Sequence, residues 1–291
     1  MRILVTGSAG FLGSALVPAL ADAGHDVHGI VRDASDYETP DGVRVLEIDL
    51  SRPLEPSSLP DVDAVIHLAQ ANVPFPDSAS ELYAVNTIAT QQLLDHSRRV
   101  GAAKFLYASS GSVYGLGDHP FREDEELPIA DFYAVTKINA EQLVATYRDF
   151  FDTVVFRLFM PYGPGQTGRL IPALVDRVRN GRAVTLNDGG RPCGNPIFIG
   201  DVVRTIQAAL DLDGHHTVNV GGDEIVSIAD LATLIGEAAG REPVFEEGAA
   251  GAAGDVVGDT SRMHELFSLR PLVTLSEGLR RTVEAPAREA V

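Results

Sequence analysis

Short apolar runs that alternate with helix-like stretches are the feature that most restricts the fold of this chain. The runs are rich in β-branched residues and cover residues 2–6, 27–31, 43–48, 64–68, 104–109 and 154–159. Helical spacing of apolar residues follows at 11–23, 80–100 and 131–151. Strands buried on both faces and separated by helices are typical of a parallel sheet covered on each side. We therefore predict an α/β fold with a doubly wound parallel sheet of the Rossmann type.

The pattern changes after Pro161, where residues 162–168 are rich in glycine and proline and the later elements become short and mixed. We predict a dinucleotide-binding Rossmann domain over residues 1–160. A smaller mixed lobe that binds the substrate is predicted over residues 161–291, with the chain crossing back to the first domain.

The charge balance restricts the partners. The formal net charge is −18, and a nucleic acid or an anionic membrane surface would require a basic face. The single cysteine, Cys193, excludes an intrachain disulfide, and we expect no metal site. No apolar run is long enough to cross a membrane, and the chain opens directly on a strand-like run. We expect a cytoplasmic protein whose partner is a small molecule.

A glycine-rich turn lies between the first strand and the first helix, where Gly7, Gly10 and Gly13 stand three residues apart. Glycines there let the backbone approach a pyrophosphate, and the amides of Phe11, Leu12 and Gly13 at the helix N-terminus favour that anion. We predict a dinucleotide site at this turn rather than a simple loop.

Other strand ends should line the same edge of the sheet. Asp49 and Leu50 follow the third strand, and Leu68 and Ala69 end the fourth. Ligands of such sheets bind along the carboxyl edge. These residues are candidate cofactor contacts, although each alone is equally consistent with an ordinary strand end.

The end of the second strand bears on the choice between NAD and NADP. A carboxylate there accepts from the ribose 2′-hydroxyl of NAD, whereas an arginine pairs with the 2′-phosphate of NADP. Val31 occupies the expected position of the acid, and Arg32 follows it. The sequence favours NADP over NAD, unless a shift of two residues makes Asp33 the acid.

Tyr133 and Lys137 stand four residues apart in a helical stretch and therefore share one face. A phenol is a weak base at neutral pH unless a nearby cation lowers its pKa. The ammonium of Lys137 would supply that cation and could also hold the ribose hydroxyls. The position is notable because the chain has only one other lysine, Lys104.

Two serines end the fifth strand at the same edge of the sheet. The hydroxyl of Ser109 or Ser110 could hydrogen-bond a substrate oxygen as it passes between alcohol and carbonyl. The alternative is that both hydroxyls only form hydrogen bonds within the turn that follows the strand.

The combined motifs resemble the extended short-chain dehydrogenase/reductases, in the group of nucleotide-sugar epimerases, dehydratases and reductases. The resemblance rests on the ordered segments TGSAGFLG, DL, HLA, VN, SSGSVYG and YAVTK, with RLFMPYGPGQ, NPIFIGDVV and GDVVGDTSRM further on. It covers nearly the whole chain, and the active-site segment is most similar to that of UDP-sugar 4-epimerases.

The resemblance implies roles for individual residues. Ser110 matches the catalytic serine or threonine, Tyr133 the acid/base and Lys137 its partner. Asn86 matches the asparagine that supports the active-site helix. The resemblance also implies a homodimer in which helices around residues 83–99 and 131–150 pack together.

Several positions depart from the family pattern. Gly111 and Ser112 stand where the 4,6-dehydratases have an Asp-Glu pair, which argues against a dehydratase. Gly194 and Ala252 stand where arginines usually bind the substrate diphosphate, and Met160 replaces a typical asparagine. Arg169 or Arg191 could supply the missing charge.

Three interpretations follow for the function. The first is an epimerase or ketoreductase that transfers a hydride at a sugar carbinol, with a nucleotide-sugar as the expected substrate. The second, favoured by the missing arginines, is a reductase of a non-nucleotide carbonyl compound. The third, a non-catalytic dinucleotide-binding protein, does not explain why Ser110, Tyr133 and Lys137 occur together.

Overall fold

The computed structural model describes residues 1–249 and 254–285, which divide into two compact units. The first unit consists of Met1–Val113, Leu127–Arg157 and Val203–Val218. The second consists of Tyr114–Glu126, Leu158–Val202 and the chain from Asn219 onward. The chain passes into the second unit after Val113 and again after Arg157, and it returns to the first unit at Leu127 and at Val203. The boundary near residue 160 stays a prediction.

The strands, in chain order, are β1 Arg2–Thr6, β2 Asp26–Val31, β3 Val43–Glu47, β4 Ala64–His67, β5 Lys104–Ser110, β6 Asp152–Leu158, β7 Pro161–Tyr162, β8 Val184–Leu186, β9 Ile197–Phe198, β10 His215–Val220 and β11 Phe245–Glu247. Seven of them form one sheet in the order β3-β2-β1-β4-β5-β6-β10. The pairs β2·β3, β1·β2, β1·β4 and β4·β5 are parallel. The predicted doubly wound α/β sheet is confirmed.

The α-helices, in chain order, are α1 Phe11–Asp22, α2 Ala79–Tyr83, α3 Ala89–Val100, α4 Phe132–Thr146, α5 Leu170–Arg179, α6 Ile199–Ala209, α7 Ile228–Ala239, α8 Ser261–Phe267 and α9 Leu275–Glu284. A π-helical turn at Ala84–Ile88 joins α2 to α3, and short 3-10 helices occur at Pro56–Ser58 and Gly111–Tyr114. None of the helices in the described part of the chain is both long and apolar enough to cross a membrane.

The central strands are buried on both faces because their residues are almost all apolar. Ile3, Leu4 and Val5 of β1 have no exposed surface, and Phe105 of β5 lies in the same core as helix residues of α3 and α4. Such continuous apolar runs are typical of strands covered by helices on both sides.

Two predicted helices differ in their extent from those observed. The stretch predicted as one helix over 80–100 is interrupted by the π turn. The helix predicted to reach residue 151 ends at Thr146, and β6 begins at Asp152, whose amide donates to the Ala103 carbonyl. Hydrophobic spacing continues beyond Thr146 only because Phe151 still packs into the core.

The second unit contains two small parallel sheets, β7 with β9 and β8 with β11. Helix α7 packs against α5 and α9. Gly194 forms isolated β-bridges to Val226 and Val256, which tie the segments around it together. This mixed arrangement agrees with the predicted smaller lobe.

Candidate active site

The glycine turn after β1 has the close backbone contacts that its sequence predicted. Gly7 has a φ of 72°, and a Cβ there would lie 2.9 Å from the Ala69 nitrogen. A Cβ at Gly13 would lie 2.1 Å from the Gly7 carbonyl oxygen, so α1 starts directly against the turn. Only glycine fits these two positions.

The same turn leaves room for an anion at the start of α1. Gly10 is the N-cap and provides no side-chain hydrogen bond to the helix. The one atom within 4 Å of a Cβ added at Gly10 is the Gly7 oxygen, so the space beside it is open. The amides of Phe11, Leu12 and Gly13 are in the first helical turn, where N–H groups have no intrahelical acceptor. These residues fit a dinucleotide pyrophosphate.

Arg32 and Asp33 follow β2 and have different surroundings. Val31, the last residue of β2, is buried, and the Arg32 side chain is 80% exposed with Nη1 3.9 Å from Glu81. The Asp33 carboxylate instead accepts from the Ser35 amide at 2.8 Å, and this bond lowers its pKa. Both side chains are exposed, and they differ in that the Asp33 carboxylate is bonded to the following turn whereas the Arg32 guanidinium lies near Glu81.

The candidate contacts after β3 and β4 are engaged in local hydrogen bonds. Asp49 accepts from the Ser51 amide at 3.0 Å and from its hydroxyl at 2.7 Å, while Leu50 is buried. Ala69 donates its amide to the Thr6 hydroxyl at 3.1 Å, and Leu68 is buried beside it. Asp49 thus forms the turn after β3, and its role toward a cofactor remains a prediction.

A buried hydrogen-bond chain runs from β1 to the π turn. The Thr6 hydroxyl lies 2.7 Å from His67 Nδ1, and His67 Nε2 lies 3.0 Å from the Thr90 hydroxyl. Thr90 donates its own proton to the Asn86 carbonyl, so Nε2 must carry the imidazole proton and Nδ1 must accept from Thr6. Burial lowers the pKa of His67 to about 3, so the ring is neutral.

Asn86 connects the π turn to the active-site helix. Its Oδ1 accepts from the Ala71 amide at 2.8 Å, and its Nδ2 donates to the Thr136 hydroxyl at 3.1 Å. Thr136 in turn donates to the Tyr133 carbonyl at 2.7 Å. The structure therefore brings Asn86 into contact with α4 between Tyr133 and Lys137.

The start of α4 places the tyrosine and the lysine. The Asp131 carboxylate caps the helix by accepting from the Ala134 amide at 2.7 Å. The Tyr133 hydroxyl donates to Gln70 Oε1 at 2.6 Å, and the Lys137 ammonium lies 5.9 Å from the centre of the Tyr133 ring.

Lys137 is completely buried and donates to the Ala108 carbonyl at 2.8 Å. Desolvation lowers its pKa to about 7, although Glu141 acts in the opposite direction. The ammonium also lies 4.9 Å from the centre of the Tyr107 ring. A lysine in these surroundings changes its charge near neutral pH.

Ser110 ends β5 and is half-buried. Its hydroxyl lies 2.9 Å from the Ser112 hydroxyl and accepts from the Ser112 amide at 3.2 Å. Ser109 points to the other face and donates to Glu141. Of the two candidate serines, Ser110 is the one that does not bond to the helix.

The comparison with protein families identifies the chain. The model of the NAD dependent epimerase/dehydratase family matches residues 3–221. The chain belongs to this family.

Curated relatives match over nearly the whole length of this family member. It is 31% identical to the uncharacterized UDP-glucose epimerase YtcB of Bacillus subtilis (strain 168), with 96% of each chain covered. It is 29% identical to the UDP-glucose 4-epimerase of Mycolicibacterium smegmatis, with 98% of each covered.

Solved structures of the family are equally similar along the chain. MoeE5 in complex with UDP-glucuronic acid and NAD shares 28% identity, with 98% of each chain covered and a TM-score of 0.87. The UDP-glucuronic acid 4-epimerase of Bacillus cereus, in complex with UDP-glucuronic acid and NAD, shares 27% identity over 98% of each chain with a TM-score of 0.86.

Gly194 and Met160, two positions that the sequence analysis compared with the family pattern, lie side by side in the second unit. A Cβ at Gly194 would lie 2.9 Å from the terminal methyl of Met160, which occupies the space next to this glycine. Gly194 and Val226 exchange backbone hydrogen bonds of 3.0 and 2.9 Å. That these positions replace residues of the family pattern stays a prediction. Ala252 lies outside the residues that the structure describes.

The two arginines considered as substitutes stand in different positions. Arg191 Nη2 lies 3.5 Å from Asp255, whose other oxygen accepts from the Cys193 amide at 2.8 Å. Arg169 is the exposed N-cap residue of α5. Within residues 1–249 and 254–285, no group of three or more His, Cys, Asp or Glu residues could hold a metal ion.

The sequence analysis missed three side chains of this site. Gln70 directly follows Ala69 at the edge of the sheet, a position that could have indicated it. Glu141 stands four residues after Lys137, so helical spacing could have predicted their proximity. Arg157 pairs with Glu141, and nothing in the apolar run of β6 pointed to that contact.

Burial of Lys137 predicts a pH-dependent effect on stability. Below about pH 7 the lysine is protonated in both the folded and the unfolded chain, and the cost of burying the charge is fully present. Between that pH and about 10.5 the unfolded chain binds more protons, so the free energy of unfolding rises with pH. We expect Lys137→Met to be favoured over the wild type at pH 6 and to lose this advantage as the pH rises.

Urea unfolding of both proteins, freed of cofactor, from pH 6 to 9.5 measures this difference. Tyr133→Phe is the matched control, since it leaves the lysine in place and should follow the wild-type curve. Parallel curves for Lys137→Met and the wild type would show that the lysine does not lose its proton in this range.

Proposed function

We propose that this protein is an NADP(H)-dependent epimerase or ketoreductase that acts at a carbinol carbon of a sugar, with a nucleotide-sugar as the substrate class. The observation that carries the proposal is the placement of Tyr133 and Lys137 on one face of a capped helix, supported from below by Asn86. A dinucleotide held at Gly7, Gly10 and Gly13 supplies the hydride acceptor or donor.

The residues of the site provide the proton chemistry. Tyr133 takes the proton from the substrate hydroxyl when the carbon is oxidised and returns it on reduction. The buried Lys137 ammonium favours the phenolate by its charge, and the Ser110 hydroxyl holds the same substrate oxygen. In the absence of substrate the Tyr133 proton is bonded to Gln70, so the substrate hydroxyl must take the place of that amide oxygen.

The epimerase and the ketoreductase differ in what happens to the cofactor. An epimerase oxidises and re-reduces the same carbon and needs no added dinucleotide, whereas a ketoreductase consumes NADPH at each turnover. Mass spectrometry of ligands that remain bound through purification would distinguish the two and reveal any sugar nucleotide. Gly111 and Ser112 at the end of β5 provide no acid-base pair for dehydration.

A second candidate function is the reduction of a carbonyl compound that carries no nucleotide. Contact between Met160 and Gly194 favours it, because an apolar thioether occupies the space beside a position where the family pattern has an arginine. The pairing of Arg191 with Asp255 further reduces the positive charge available to a diphosphate.

We further propose a homodimer formed through the helices around residues 83–99 and 131–150. Tyr83 and Ile88 are large apolar side chains that remain 40% and 45% exposed, and Phe150 after α4 is 57% exposed. Apolar side chains grouped on neighbouring helices are typical of a buried interface.

Replacement of Tyr133 by phenylalanine tests the proposed reaction. The variant should keep its fold and its cofactor affinity but lose turnover by about 10² to 10⁴, because the acid/base group is gone. Tyr147→Phe, a tyrosine at the other end of α4 that bonds Asp95, is the control and should stay near wild type. Steady-state rates with candidate UDP-sugars measure both, and a Tyr133→Phe variant with more than about a tenth of wild-type turnover would contradict the assignment.

Titration of both dinucleotides tests the proposed cofactor preference. A charge-assisted contact contributes roughly 1.5–3 kcal/mol, so NADPH should bind at least about tenfold more tightly than NADH. Arg32→Ala should remove that difference by weakening NADPH alone. Arg98→Ala makes the same charge change at the end of α3 and should leave it intact. Equal wild-type affinities would instead favour Asp33 as a ribose acceptor.

Calorimetry with UDP, dTDP and GDP tests how the substrate phosphates are held. Two missing arginine contacts, at roughly 1.5–3 kcal/mol each, should weaken binding by about two decades or more. Binding that remains should be lost in Arg169→Ala or Arg191→Ala, with Arg177→Ala on α5 as control. Tight binding that survives in both variants would show that other groups hold the diphosphate.

A further inference from the structure

A buried ion pair lies one helical turn beyond the active-site lysine. Arg157 on β6 contacts both carboxylate oxygens of Glu141 on α4, with Nη2 2.7 Å from Oε2 and Nε 3.2 Å from each oxygen. Their side chains are only 7% and 10% exposed. Charges buried to this extent need partners on every side.

The same carboxylate is bonded to the strand that holds the lysine. Ser109 donates its hydroxyl to Glu141 Oε1 at 2.5 Å, and the preceding residue, Ala108, accepts from the Lys137 ammonium at 2.8 Å. Neighbouring residues of β5 are thus bonded to neighbouring turns of α4. This double attachment fixes the distance between the ammonium and the end of the strand.

The charged and titratable groups around Lys137 come from four elements. They are His67 of β4, Tyr107 of β5, Tyr133 and Glu141 of α4 and, through Glu141, Arg157 of β6. His67 is neutral, and burial raises the pKa of Tyr107, which keeps its phenol protonated. Glu141 is the one anion among these groups, and Arg157 is the one fixed cation.

We propose that Glu141 is a positioning residue that sets the charge of Lys137, and that Arg157 limits its effect by sharing the carboxylate. The inference deepens the proposed function, on which its catalytic consequence rests. Without Glu141 the buried ammonium and the buried arginine would both lose the anion that acts on them. Without Arg157 the ammonium would be the one cation left near the carboxylate among the groups named above.

Substitution of Glu141 and substitution of Arg157 should therefore shift the titration of Lys137 in opposite directions. Glu141→Gln keeps an acceptor for Ser109 but removes the anion, so Lys137 should lose its proton about one pH unit lower or more. Arg157→Met removes the competing cation, so Lys137 should lose its proton at a higher pH. A pair that served only to stabilise the fold would give no shift or shifts of the same sign.

NMR of protein labelled with ¹³Cε-lysine measures this titration directly, because the chain contains only two lysines. Lys104→Arg assigns the remaining signal to Lys137. Ser109→Ala is the matched control, since it removes one hydrogen bond and no charge and should leave the titration within about 0.3 pH units of wild type.

The double variant Glu141→Gln/Arg157→Met keeps the test decisive where a single charge left unpaired prevents folding. It removes the nearer anion and the farther cation together, so Lys137 should titrate below wild type, by less than in Glu141→Gln. A double variant in which Lys137 titrates below wild type supports the proposal, and one in which it titrates at or above wild type overturns it.

Kinetics then provide the second readout. In Glu141→Gln the rising limb of the pH profile of kcat/KM should move to higher pH, because a neutral Lys137 no longer favours the Tyr133 phenolate. The NMR titration requires neither cofactor nor substrate. It can therefore be measured even if the reaction proposed for Tyr133 is wrong. If Glu141→Gln shifts the titration of Lys137 while Tyr133→Phe keeps its turnover, the inference about Glu141 stands and the proposed function fails.

Discussion

The buried hydrogen-bond chain from the Ala69 amide through Thr6, His67 and Thr90 to Asn86 is the constraint on which the site depends. Each hydroxyl accepts one hydrogen bond and donates the next, so all the donors point the same way, from Ala69 toward Asn86. Since an unpaired polar group in a core is costly, the loss of one member would leave its neighbours without a partner. These hydrogen bonds therefore hold the ends of β1 and β4 and the π turn in one arrangement.

That arrangement determines where α4 lies. Asn86 donates to Thr136, and Thr136 donates to the Tyr133 carbonyl, so the helix carrying the tyrosine and the lysine is attached to the same network. The π turn at Ala84–Ile88 supplies the extra residue that lets Asn86 face this way, a use of π turns that is common at functional sites. Buried lysine charge, which by itself destabilises the fold, is accommodated because the surrounding groups are held in place.

Much of this could be predicted from the sequence because it follows from local patterns. The apolar runs predicted every strand of the sheet up to β6, and the spacing of Gly7 and Gly13 predicted a turn that tolerates no Cβ. Tyr133 and Lys137 were predicted from helical spacing. Contacts between distant segments could not be predicted in this way: Gln70 against Tyr133, Arg157 against Glu141, and Met160 against Gly194 depend on which segments the tertiary fold brings together. The break in the 80–100 helix was missed because a π turn keeps the chain helical, and its one extra residue is not marked by any residue type that ends a helix.

The discontinuous course of the chain has a consequence for its synthesis on the ribosome. The strand β10, which completes the seven-stranded sheet beside β6, begins at His215, long after β6 has ended at Leu158. Until that segment leaves the ribosome, β6 forms the outer edge of the sheet, and its row of unpaired N–H and C=O groups can pair with another chain. A nascent chain that stalls between these two strands therefore exposes an unpaired edge strand. The longer translation takes to reach β10, the longer that edge is open to aggregation.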